Sequence, residues 1–150
     1  MVNIYIILIS ILAGMSTYVI ANKLNKGSVF ASATVTLISG IIFPYFFPES
    51  GPTLMVVAAC ASYAGMISTK NAPSIKEMII ISTITGMMFI ISSKAYVGVG
   101  GRLGTIAALS CLTWIGAKKL LFSDKLPQKL IYHFKASWEK TVKGNKGLHK

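Results

Sequence analysis

Five stretches of apolar residues, 2–21, 29–47, 53–69, 78–97 and 104–122, follow one another along the chain with short polar segments between them. Each approaches the ~20 residues that an α-helix needs to cross a bilayer, and the third is the shortest. Breaks within the runs are to Ser, Thr, Ala and Gly and rarely to charge. None shows the polar stripe, recurring every third or fourth residue, of a helix that faces water. Helices apolar on every side cannot all be buried in a soluble bundle. The pattern therefore predicts an all-α, polytopic integral membrane protein. It has a five-helix transmembrane domain, 1–122, followed by a cytoplasmic tail, 123–150.

The tail has a different period. In "LPQKLIYHFKASWEKTVK" the residues Leu130, Phe134, Trp138 and Val142 recur every four positions, with Ile131 beside them and Lys129, Lys135, Lys140 and Lys143 flanking the stripe. That spacing predicts an amphipathic helix over about 128–143, lying on a membrane surface or against a partner. The last residues, "GNKGLHK", read as a frayed end.

Charge gives the helices a direction. The net charge is +11, and nine of the fifteen basic residues fall from Lys118 onward. A basic tail beside membrane segments meets anionic lipid headgroups, and the chain offers no basic stripe or motif for nucleic acid. Lys23 and Lys26 follow the first run, and Lys70 and Lys76 follow the third; "PESGP" has no basic residue, and only Lys94 and Arg102 lie between the fourth and fifth. Cytoplasmic loops carry the excess of Lys and Arg, which places the N-terminus outside and the C-terminus inside, in a membrane of prokaryotic type. The first run lacks a positive n-region and has its lysines after it, as a retained helix rather than a cleaved signal does.

Several kinds of chemistry are thinly supported. The four acids, Glu49, Glu77, Asp124 and Glu139, lie outside the apolar runs, and His133 and His149 lie in the tail. A proton relay or cation-coupled carrier needs such groups within the bilayer. Nucleophilic catalysis needs a Ser, Cys or Thr beside a His or carboxylate, and no span brings them together. Cys60 and Cys111, mid-segment at similar depth in two parallel spans, suit small packing residues, and no cofactor or metal is expected. Small residues recur at helical spacing instead: Ser32, Thr36 and Gly40; Ala61 and Gly65; Ser82 and Gly86; Gly104 and Ala108. Close-packed membrane helices use such faces.

The candidate site is "KAYVGVGGRLGT", with Lys94, Gly98, Gly100, Gly101 and Arg102, the one arginine of the chain. Glycine suits a tight reversal between two helices. Consecutive glycine N–H groups before a helix, with a guanidinium and an ammonium nearby, also suit an extracytoplasmic phosphate, carboxylate or lipid headgroup. The spacing is not the dinucleotide fingerprint. Pro44, Tyr45, Phe46, Phe47 and Pro48 read as an interfacial collar, and "KNAPSIKE" as a turn in which Pro73 or Ser74 starts the fourth helix.

Three functions follow in order of support. The first is a non-enzymatic membrane component, a subunit of a larger complex or a self-assembling protein, with lipids and other membrane subunits as partners. The second is a small channel or carrier for a neutral or anionic solute. The third is a lipid-modifying enzyme.

Overall fold

A computed structural model describes residues 2–92 and 101–122, which form five α-helices and no strands. They are α1 (Val2–Asn22), α2 (Ser28–Phe46), α3 (Gly51–Ala64), α4 (Ile75–Ile91) and α5 (Arg102–Phe122). Two of them, α1 and α2, are long and apolar enough to cross a membrane. At 1.5 Å per residue the 14 residues of α3 and the 17 of α4 rise only about 21 and 25 Å, short of a ~30 Å hydrocarbon core. Between Arg102 and Lys118, α5 carries no charged residue.

Two runs end earlier than their composition predicts. The third was expected to continue to residue 69, but α3 ends at Ala64; its C-cap Gly65 packs closely on α1, where a Cβ would lie 2.7 Å from both the Gly14 carbonyl oxygen and Thr17 Cβ. The chain then tightens, with Met66 N–H donating to Tyr63 O and Ile67 N–H to Ala64 O. Ser68 O accepts from Asn71 and Ala72 N–H, and the Tyr18 hydroxyl of α1 fixes this loop by donating to Ala72 O at 2.6 Å. As expected, Ser74 starts α4, its hydroxyl accepting from Lys76 N–H. The fourth run was expected to reach residue 97, but α4 ends at Ile91, with Ser92 as its C-cap.

Contacts group residues 1–115 into one unit, and the described part of the second, 116–122, continues α5. In the first unit α3 is central: nine of its fourteen residues are buried. Leu54, Val57 and Cys60 pack with Ile6, Phe89 and Ile106; Ala58 and Ala61 with Ala13 and Val35; Ala64 with Tyr18, Met78, Ile81 and Ala107. Alanine and glycine let the helices approach closely.

The seam between α1 and α4 is reciprocal. "ISILAG" at 9–14 and "ISTITG" at 81–86 meet antiparallel, with Gly14 against Ser82 and Gly86 against Ser10. A Cβ on Gly14 would collide with Ser82 Oγ, and one on Gly86 would lie 3.2 Å from Ser10 Cβ and 3.3 Å from Ile7 Cα. Ser10 Oγ donates across the seam to Ser82 O at 2.7 Å, while Ser82 Oγ is buried without a hydrogen-bond partner.

The surface, rather than the core, departs from that of a water-soluble bundle. Among the described residues, every buried polar side chain is a hydroxyl: Ser10, Thr17, Ser32, Ser39, Ser62, Ser82, Thr85 and Ser110. Large apolar side chains also cover the outside, with Leu12, Leu37, Ile41 and Leu112 each exposed by 63–66%.

Candidate functional site

Of the five residues of the expected anion site, Gly101 and Arg102 are described, whereas Lys94, Gly98 and Gly100 lie outside the described residues. Gly101 adopts φ +84°, the left-handed region open to glycine, and directs the chain into α5. Its carbonyl accepts from both the N–H of Thr105 at 3.0 Å and the Thr105 hydroxyl at 2.8 Å.

Arg102 turns back toward α4. Its Nη2 donates to Ser92 O at 2.7 Å, and the guanidinium carbon stands 5.4 Å from the centroid of the Phe89 ring. A cation at the N-terminus of α5 is unfavourable to that helix's own dipole, but the same charge at the C-terminus of α4 is favourable. Ring stacking adds to the attraction. Arg102 thus joins the end of one helix to the start of the next, and its Nε is enclosed without a hydrogen-bond partner among the described residues.

A second polar locus lies at the opposite end of the bundle, where α2 begins and α3 ends. Ser62 Oγ is 2.9 Å from Ser32 Oγ and 3.1 Å from Thr36 Oγ1, and it donates to Ala59 O at 2.8 Å. The cluster borders a groove of about 470 Å³ lined by Val29, Ser32, Ala33, Thr36, Leu37, Tyr63 and Met66. Ser32 and Thr36 were legible as part of a small-residue face. Ser62 was not, since its role depends on the short α2–α3 connection setting it beside them.

Near the α3–α4 loop, Trp114 Nε1 donates to Glu77 Oε2 at 3.0 Å. The acid expected to border a loop therefore stands in the first turn of α4 and holds α5 through an indole. Cys60 Sγ approaches Leu103 O at 3.3 Å and Cys111 Sγ approaches Ala64 O at 3.8 Å, so both thiols sit in the α3–α5 interface and neither forms a disulfide. Four residues separate Cys60 from Ala64, the neighbour of Cys111, an offset of about 6 Å along the helix. Among the described residues no three His, Cys, Asp or Glu side chains come together as a metal site. The tail helix, with Leu130, Phe134, Lys135 and Trp138, lies outside the described residues.

The chain matches no known family model, no curated protein and no solved structure.

Proposed function

We propose that the chain is a small integral membrane protein whose five helices all enter the bilayer, N-terminus outside and C-terminus in the cytoplasm, and that it serves as a non-enzymatic subunit or self-assembling component of a membrane complex. The observation that carries this reading is the apolar exterior: large apolar side chains crowd the surface of the described helices, and the buried polar side chains are all uncharged hydroxyls. In water such an exterior would drive aggregation, whereas in lipid it needs no cover. The interior hydroxyls suit that setting because Thr17, Thr85 and Ser110 donate to carbonyls four residues back on their own helices. They need no water to be satisfied. The shorter α3 is compatible with lipid on either side because it is enclosed by its neighbours.

The packed seams favour a scaffold over a solute pathway. Gly14, Gly65 and Gly86 bring helix backbones together where a pore would require room. The proposal is tested by expressing the tagged chain, washing membranes at alkaline pH, and solubilising them in mild detergent. The chain should stay in the alkali-washed membrane and emerge with a stoichiometric membrane partner or as a defined homo-oligomer. Release by alkali overturns the integral placement. A lone monomer that conducts a solute in liposomes overturns the subunit role.

A further inference from the structure

The two sides of the α1–α4 seam carry the same short sequence. "ISILAGM" at 9–15 and "ISTITGM" at 81–87 share Ile, Ser, Gly and Met at one spacing, with an offset of 72 positions. Burial follows the repeat: positions 6, 10, 13, 14 and 17 are buried on α1, and positions 78, 82, 85, 86 and 89 are buried on α4. Since the helices run antiparallel, a local two-fold axis exchanges Ser10 with Ser82 and Gly14 with Gly86. The two contact levels, Gly14 on Ser82 and Ser10 on Gly86, lie one on each side of that axis, about 6 Å apart along the helices.

The contacts break this symmetry twice, in the same sense. A Cβ on Gly14 would collide with Ser82 Oγ, whereas one on Gly86 would lie 3.4 Å from Ser10 Oγ, so the seam is pinched at the Gly14 level and stands open at the Gly86 level. Ser10, on the open level, donates across to Ser82 O at 2.7 Å. The equivalent bond from Ser82 to Ser10 O is not made, and Ser82 Oγ, on the pinched level, is buried with no partner among the described residues. A hydroxyl thus reaches over only where its facing glycine stands off. Tilting one helix on the other opens one level as it closes the other.

We infer that the α1–α4 seam is a two-position rocker. α4 tilts on α1 about the turn between the two levels, and the second position is the two-fold image of the first. It is pinched where Ser10 meets Gly86 and open where Ser82 meets Gly14, with Ser82 donating to Ser10 O and the Ser10 hydroxyl unpartnered. Each position makes one of the two bonds and leaves one hydroxyl buried alone, so the seam itself favours neither. Rocking of one inverted repeat against the other is a general way for a helical membrane bundle to hold two states. The motion reaches α5, because α4 is bonded to it at both ends: Ser92 O accepts from Arg102, and the Glu77 carboxylate from Trp114. The inference goes beyond the subunit role proposed above and stands on the seam alone.

The test uses the full chain in dodecyl maltoside, with a trifluoroethylthio label on Ile91→Cys, an 82% exposed position at the end of α4, in a background lacking Cys60 and Cys111. Fluorine NMR reads the tilt at that end of the lever, and thermal melts read the bonds. Ser10→Ala removes the bond of the first position and Gly14→Ala crowds its pinched level, so both should move the resonance to one common new place. Ser82→Ala and Gly86→Ala act against the second position and should leave the resonance where the wild type has it. In the melts, Ser10→Ala and Ser82→Ala should each cost little, since the other hydroxyl takes over, and the double variant should lose about 2–4 °C more than their sum. A fixed seam, with one bond or with both, predicts losses that add, and additive melts would overturn the rocker. Non-additive melts with an unmoved resonance would mean that only a hydroxyl turns, and would overturn it as well. So would Ser10→Ala and Gly14→Ala resonances that move to different places. If Gly86→Ala fails to fold, the other three variants decide.

Discussion

Replacing single glycines by alanine at Gly40, Gly14 and Gly65 should produce three different results, although each change adds the same methyl group. In a helix interior alanine is favoured over glycine by about 0.8–1.0 kcal/mol, which sets the gain available where space exists. At Gly40 the added Cβ would meet Met55 Sγ at 3.6 Å and Cγ at 3.9 Å, ordinary contact distances, so Gly40→Ala should stabilise by close to that amount. At Gly14 the Cβ would run into Ser82 Oγ and lie 3.2 Å from Met78 Cε. Both are movable, since the Ser82 hydroxyl has no hydrogen bond to lose and Cε is the end of a flexible side chain, whereas Ser82 Cβ, 3.3 Å away, moves only with α4. Gly14→Ala should therefore fall within about 1 kcal/mol of wild type, gain and crowding offsetting each other.

Gly65 differs because its obstacles cannot turn aside. The Gly14 carbonyl oxygen belongs to the backbone of α1, and Thr17 is held by its own hydrogen bond to Ala13 O at 2.9 Å. The backbone at Gly65, φ −65°, would accept alanine, so any loss is steric. Parting α1 from α3 enough to fit the methyl should cost about 1–3 kcal/mol. Thermal denaturation of each variant in dodecyl maltoside should thus order them Gly40→Ala, Gly14→Ala, Gly65→Ala from most to least stable. Adding Ser82→Ala to Gly14→Ala should recover the lost part of the helix gain, and adding it to Gly65→Ala should not. If Gly65→Ala melts with or above Gly40→Ala, the close approach of α1 and α3 is wrong.

The five helices were legible from the apolar runs because composition alone distinguishes them from the loops, and Ser74 could be recognised as a cap from its neighbours. The end of α3 was overrun although Gly65, Ser68 and Thr69 make residues 65–69 less apolar than those before them, and the close packing of Gly65 on Gly14 and Thr17 of α1 carries no mark in the local sequence. The same holds for Tyr18, whose hydroxyl finds Ala72 O only once α1 and the α3–α4 loop are side by side. Arg102 was legible as unusual, but not its partner on α4: among glycines it reads as part of a turn or of an anion site, and the Ser92 carbonyl that Nη2 meets is a group that every chain position owns and that no sequence motif marks.

Further outcomes follow from individual side chains. Ser82→Ala should leave stability unchanged or raise it, since it removes a buried hydroxyl without a partner and leaves the Ser82 carbonyl that Ser10 uses; a loss of more than about 1 kcal/mol in detergent melts would show that the hydroxyl is bonded. Tyr18→Phe should cost about 1 kcal/mol and increase protease cutting in the α3–α4 loop, by freeing Ala72 O; unchanged cutting would remove Tyr18 as the tether. In a background lacking Cys60 and Cys111, an impermeant thiol reagent on intact cells should label Ser50→Cys and spare Gly147→Cys; the reverse pattern would invert the topology. Arg102→Met separates the helix clamp from an anion site, because it keeps an unbranched apolar side chain while removing the guanidinium over Phe89 and the donor to Ser92 O. A clamp predicts a loss of about 1.5–3 kcal/mol with no anion present and the same loss with phosphate added, as expected for a charged donor to a carbonyl. If instead Arg102→Met melts like wild type in anion-free buffer and differs only when phosphate is supplied, the guanidinium acts on a ligand rather than on α4.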